Sequence, residues 1–167
     1  YYESLTATET TDQVYFLGTS FNNTTLYTYA LSVSFLIVAF LSPVLSGIAD
    51  YTGRKKTFMQ FFCYLGSLST MGLFFFTGIE NLGIGILFSI LASIGFWGSL
   101  VFYNAYLPEV AFPEQQDKVS ALGFTYGYIG SVLLLVFNLM MINNPEWFGI
   151  TDPTLPARIS FATVGLW

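Results

Sequence analysis

The chain has 167 residues, five basic and ten acidic side chains, no histidine and a formal net charge of −5. Hydrophobic residues make up 54% and charged residues 9%, against about a quarter charged in a soluble domain. This balance speaks against a nucleic-acid surface, which needs a basic face. The lack of histidine removes the familiar His-based metal and acid–base sites, and nothing in the sequence calls for a cofactor.

In chain order, Tyr1-Tyr2 reads as the foot of an earlier helix, and a polar stretch follows to residue 25. Asn22 and Asn23 each open an Asn-x-Thr triplet, a glycosylation acceptor in a secretory context. A hydrocarbon core of about 30 Å needs roughly 20 helical residues at about 1.5 Å each. The segments 26–49, 57–79, 82–103 and 119–142 meet that length without internal charge, and a fifth apolar run from Ile159 stops at Trp167. The fold class expected is therefore all-α, a polytopic transmembrane helix bundle. The absent initiator Met, the absent signal peptide and the truncated last run read as a fragment. Cys63 stands alone within an apolar span, so it reads as a small core residue and no internal disulfide is available.

Between the first two spans lies Gly47-Ile48-Ala49-Asp50-Tyr51-Thr52-Gly53-Arg54-Lys55-Lys56, which holds four of the fifteen charged residues. Arg54, Lys55 and Lys56, with Lys118 after the third span, outnumber Arg158 on the other side. Basic residues favour cytoplasmic loops, so the 50–56 turn and the 104–118 loop are placed inside, and 1–25, the turn near 80 and 143–157 outside. Short turns near 50–56 and 80 predict antiparallel neighbours. The longer 104–118 connection, where Pro108 ends a helix and Asp117 to Ser120 begins another, predicts a break between two helix groups. Pro43 removes a backbone hydrogen bond within the first span and predicts a kink.

Two spans carry readable faces. Gly123, Gly127, Gly130, Leu134 and Asn138 fall on one side of the fourth span, where a Gly-x-x-x-Gly pair lets another helix approach closely. Asn138 needs a partner in hydrocarbon, either another helix or a solute. Ser89, Ser93, Phe96, Trp97, Leu100 and Tyr103 share a face of the third span. They are either packing residues or, with Asn138, the lining of a cavity for a small, partly apolar solute.

The charged turn carries a resemblance. Gly47, Asp50, Gly53, Arg54 and Lys55 match, position by position, the Gly-x-x-x-Asp-x-x-Gly-Arg-Lys signature loop of the major facilitator superfamily, with Tyr51 where a basic residue is usual. Asn104 to Ala111, Asp117 to Phe124 and Gly127 to Ser131 resemble the vacuole-effluxer-like, autophagy-related branch of that superfamily. The resemblance covers essentially the whole chain, from the end of helix 1 to the start of helix 6 (158–167). It makes the chain part of the N-terminal six-helix half of a rocking transporter with a midplane solute site.

It also implies roles. Asp50 faces the start of a helix in the missing C-terminal half, Gly47 allows that approach, and Arg54 pairs with Asp50 or another acid, forming a latch present in one access state only. The signature-loop residues Gly47, Asp50, Gly53, Arg54 and Lys55 together form the candidate latch, with Lys55 and Lys56 also read as topology signals near lipid headgroups. The function expected is secondary transport of a small organic solute, amino acids by resemblance, by alternating access and not enzymatic. The partners are the bilayer, the solute and the C-terminal half. The location is the plasma (inner) membrane, or the vacuolar membrane in a eukaryote. The competing class is a non-transporting scaffold or receptor that kept the fold.

Overall fold

The computed structural model of the chain describes Thr6, residues 13–16 and residues 18–167; the expected helix foot at Tyr1-Tyr2 lies outside them. A short antiparallel hairpin of β1 (Gln13–Phe16) and β2 (Thr19–Asn22), in register Gln13 to Asn22 and Phe16 to Thr19, precedes the long helices. Gly18 supplies the positive φ of 84° that so tight a connection requires. Five α-helices follow: α1 (Asn23–Thr52), α2 (Lys55–Gly72), α3 (Leu82–Val110), α4 (Gln116–Asn143) and α5 (Leu155–Leu166).

Four helices, counted with their short 3₁₀ extensions, are long and apolar enough to cross a membrane: Asn23–Thr52, Lys55–Phe75, Ile79–Val110 and Pro113–Asn143. Large apolar side chains such as Phe40, Leu68, Tyr126 and Leu133 stand exposed on them, as an all-α bundle solvated by lipid requires.

The helices begin and end for identifiable reasons. Asn22 caps α1, its Oδ1 accepting from the Thr24 N–H at 3.3 Å and the Thr24 hydroxyl at 2.7 Å. α1 then runs unbroken through Pro43. Pro108 does not end α3, as its position in the sequence suggested: the helix continues to Val110, and the Ala111 N–H closes the last turn on Leu107 O at 3.1 Å. A proline this near a C-terminus forfeits one hydrogen bond and leaves few residues to disrupt. The connection placed at 104–118 therefore shrinks to five residues, 111–115, before α4 starts.

The main packing is between α2 and α3. Gly66 and Gly95 meet backbone to backbone, so closely that a Cβ on Gly95 would overlap the Gly66 backbone and lie 2.8 Å from Phe62 O. On one side of this crossing, a Cβ on Gly98 would lie 2.5 Å from the Phe62 ring, and Phe58 and Phe62 stack on Phe102 at 5.4 and 5.8 Å between centroids. On the other side, a Cβ on Gly72 would lie 2.6 Å from the Phe88 ring. Ala49 from α1 joins the buried cluster of Phe62, Ile94 and Phe102.

Chain neighbours are not always spatial neighbours. α1 packs on α3, with Phe35 against Trp97 at 5.7 Å, and hardly touches α2; α4 likewise hardly touches α3. The tight links turn the chain but bring together only the helix ends. The glycine face of α3 is taken by α2, and α1 occupies another face.

At the end away from the charged turn, Val14 of the hairpin is buried with Leu26, Ala30, Phe76, Leu82 and Ile86. The short α5 is pinned to α2. Arg158 donates from Nε to Phe74 O at 2.7 Å, and its guanidinium lies 4.5 Å above the Phe74 ring. A cation there meets the carbonyl-rich C-terminal end of α2 and its extension. A Cβ on Gly165 would lie 2.5 Å from Ser67 O. Just before α5, hydrogen bonds from the Thr154 N–H and hydroxyl, both 2.8 Å, hold the Asp152 carboxyl below its ordinary range.

Gly95→Ala in the full-length protein is expected to lower stability by about 1–3 kcal/mol, the usual cost of overpacking. A thermal unfolding midpoint in detergent, compared with wild type, measures the loss.

Candidate functional site

The charged turn is a compact helix reversal. Gly53, at φ 63° and ψ 20°, is the left-handed residue that ends α1, and its N–H bonds back to Ala49 O. The Arg54 N–H reaches the same carbonyl at 3.2 Å, a Schellman-type closure. Thr57 and Phe58 N–H groups bond Arg54 O at 3.0 and 3.2 Å, so α2 starts at once. A side chain at position 53 would be strained there.

Lys55, the first residue of α2, bridges two carboxylates. Its Nζ lies 2.9 Å from Asp50 Oδ1, at the end of α1, and 3.1 Å from Glu109 Oε1, in the last turn of α3. Each of these charges opposes its own helix dipole: acids at two C-terminal ends, a cation at an N-terminal end. Meeting one another offsets what each helix end disfavours. The Lys55 side chain is 19% exposed, Glu109 40% and Asp50 61%. Asp50 thus keeps most of its carboxylate open to a further partner.

The ion pairs distribute these roles unevenly. Lys55, in the candidate latch but also read as a topology signal, is the residue paired with Asp50. Arg54, expected to pair with Asp50 or another acid, is exposed and makes no ion pair among the described residues. The reason is geometric: Arg54 is the boundary residue that reverses the chain, whereas Lys55, one residue on, points across the helix ends. Glu109 was placed in a loop; the extension of α3 brings it to Lys55. Gly47, one turn before Asp50, has open space where a Cβ would be.

The cavity expected from sequence is only partly assembled. A depression of about 520 Å³ opens between α2, α3 and α4, with Cys63, Phe96, Tyr103, Phe124, Tyr128 and Ser131 in its wall. Phe96, Leu100 and Tyr103 from the expected face of α3 line it. Ser89, Ser93 and Trp97 are not in that wall, and Trp97 packs on Phe35 instead. Asn138 is buried and accepts from the Thr163 hydroxyl at 3.0 Å, joining α4 to α5. Of the two partners open to Asn138 in the sequence reading, it has the helix.

The glycine stripe of α4 is also divided. Gly123 sits against the Tyr103 hydroxyl, Gly130 lies within reach of the Trp167 ring, and Gly127 faces open space. The close helix approach belongs instead to Gly66 and Gly95. The sequence reading gives those two glycines no role and names Arg158 only for its side of the membrane; Gly66 near the middle of its span, and Gly95 with Gly98 on the next, are the available signal.

The family model described as "Vacuole effluxer Atg22 like" matches residues 4–116, a stretch that holds Asp50, Lys55 and Glu109. The chain belongs to the Atg22-like vacuole effluxer family. It is 40% identical over 147 residues to the uncharacterized MFS-type transporter YxiO of Bacillus subtilis, covering 87% of this chain and 33% of that protein. It is 23% identical to autophagy-related protein 22-1 of Penicillium rubens, covering 92% of the chain and 36% of the relative. An uncharacterized protein of Aquifex aeolicus is 28% identical over 75% of the chain. The chain thus spans about a third of the length of these relatives. No solved structure matches it. The α4 wall of the 520 Å³ depression lies beyond the family match.

Replacing Lys55 by Gln leaves Asp50 and Glu109 as unneutralised neighbours. The unfolding midpoint of Lys55→Gln is expected to fall below wild type in low salt. The gap should narrow at 1 M salt, where the screening length is about 3 Å. Arg54→Gln, measured in the same series, should leave the midpoint unchanged.

Proposed function

We propose that the chain forms part of the N-terminal half of a secondary transporter that moves a small organic solute by alternating access. The observation that carries this reading is the Lys55 bridge between Asp50 and Glu109, which ties three helix ends on one side of the bundle. Ion pairs at a membrane surface are individually weak, so such a bridge suits an element that must form and break repeatedly. Asp50, largely exposed and one turn from the open face at Gly47, is positioned to receive the positive end of a helix from the other half. A contact available in one access state alone biases the two-state equilibrium.

Asp50, Lys55 and Glu109, with Gly53 making the turn and Gly47 leaving the approach open, thus act as the latch. The family name and the relatives called MFS-type transporter and autophagy-related protein 22-1 support the class. Amino acids are the first solutes to test. The four long apolar segments read in the sequence carry no charged residue, so a proton-coupling carboxylate, where there is one, belongs to another part of the full-length protein. The location is a plasma membrane, or the vacuolar membrane in a eukaryotic cell.

The test is uptake of radiolabelled amino acids into proteoliposomes holding the full-length protein, with and without a pH gradient. Saturable flux that falls at least about tenfold in Asp50→Asn, at equal insertion, is the expected outcome. Flux indifferent to Asp50→Asn would overturn the latch. No flux of any amino acid would overturn the solute, and binding without flux of any solute would favour a scaffold.

A further inference from the structure

A second depression, of about 550 Å³, lies in the cleft left because α1 and α2 diverge from the charged turn. Leu41 and Leu45 of α1 form one wall, Phe58, Phe61 and Leu65 of α2 the other, and Ile94 of α3 the floor. Its one polar lining residue is Thr57, at the end nearest the charged turn. From Thr57 to Leu65 the cleft extends about 12 Å along the helix axis.

Arg54 lies at the Thr57 end of the cleft, where its carbonyl accepts the N–H groups of Thr57 and Phe58, two of the lining residues. Its guanidinium is exposed and makes no ion pair among the described residues, and exposed Lys56 lies two positions on. A cation at the head of an apolar cleft, at the depth where a membrane helix begins, has the polarity of a phospholipid: anionic group above, hydrocarbon below.

We propose that the cleft between α1 and α2 binds an anionic phospholipid, with its phosphate on Arg54 and one acyl chain against Leu41, Leu45, Phe61 and Leu65. The lipid fills the space that the short Gly53-Arg54 link opens between two helices that meet only at their ends. It also gives Arg54 the partner that Asp50 does not provide. Lys55 is engaged with Asp50 and Glu109 and takes no part.

The experiment uses the full-length protein in nanodiscs containing phosphatidylglycerol with a photoactivatable diazirine on its acyl chain, followed by peptide mapping. Labelling is expected in residues 57–65 and 41–45, with competition by unlabelled phosphatidylglycerol stronger than by phosphatidylcholine. Arg54→Gln, a surface change that leaves the fold intact, should weaken that competition about fivefold, the contribution of one basic residue beside an anionic headgroup. Leu45→Trp should fill the cleft and remove the labelling. Native mass spectrometry of the same variant, counting retained phosphatidylglycerol, reads occupancy independently of the label. Equal competition by the two lipids, undiminished labelling in Leu45→Trp, or an unlabelled 57–65 segment, as when another helix or a second copy covers the cleft, would each overturn the proposal.

Discussion

The meeting of Gly66 and Gly95 sets the geometry of the whole assembly. With no side chain between them, α2 and α3 come into backbone contact at one point, and the antiparallel register follows along both helices. Phe62 falls against Gly98, Phe58 and Phe62 stack on Phe102, and Gly72 receives Phe88. Three further residues along α2 from Phe58, and seven along α3 from Phe102, the same seam arrives at Lys55 and Glu109. The ion pair at the helix ends is thus the last rung of a ladder whose register is set in the apolar interior. In lipid, where no hydrophobic force drives helices together, such close packing of small residues is what holds them.

That arrangement explains why weak interactions suffice at the charged end. Packing has already brought Lys55 near Glu109, and the Gly53 turn has brought it near Asp50, so little further ordering is needed. A bridge so positioned breaks at low cost when a competing partner reaches Asp50. Under the proposed function, the packed seam below it moves as a unit while the surface contacts exchange. Arg158 plays the complementary part at the opposite end, where it binds Phe74 O and holds α5 to α2.

The apolar spans and the charged turn were legible in the sequence because both depend on local properties: uninterrupted hydropathy over a membrane's thickness, and Gly53 in a left-handed turn. Partnerships were less legible. The Gly123–Gly127 spacing stands out in the sequence, yet the close approach is between Gly66 and Gly95 on two different helices, while Gly127 faces open space. Arg54 and Lys55 are adjacent cations, and only the reversal of the chain decides which one points at Asp50. The β1–β2 hairpin escaped notice because Gln13 to Asn22 is short and weakly alternating, and its burial rests on Phe76 and Leu82 far along the chain. Pro108 looked like a stop because its consequence depends on how many turns follow it.

Charge exchange across the bridge is the most direct test of a latch built on Lys55. In the full-length protein, Lys55→Glu and Glu109→Lys each set like charges side by side at positions 55 and 109, whereas the double variant restores an opposite-charge pair between those positions, though not the one with Asp50. Solute flux in proteoliposomes should be lost in both single variants and recovered, at least in part, in the double variant at equal insertion. Full flux in the single variants, or a double variant as inactive as either single one, would contradict it.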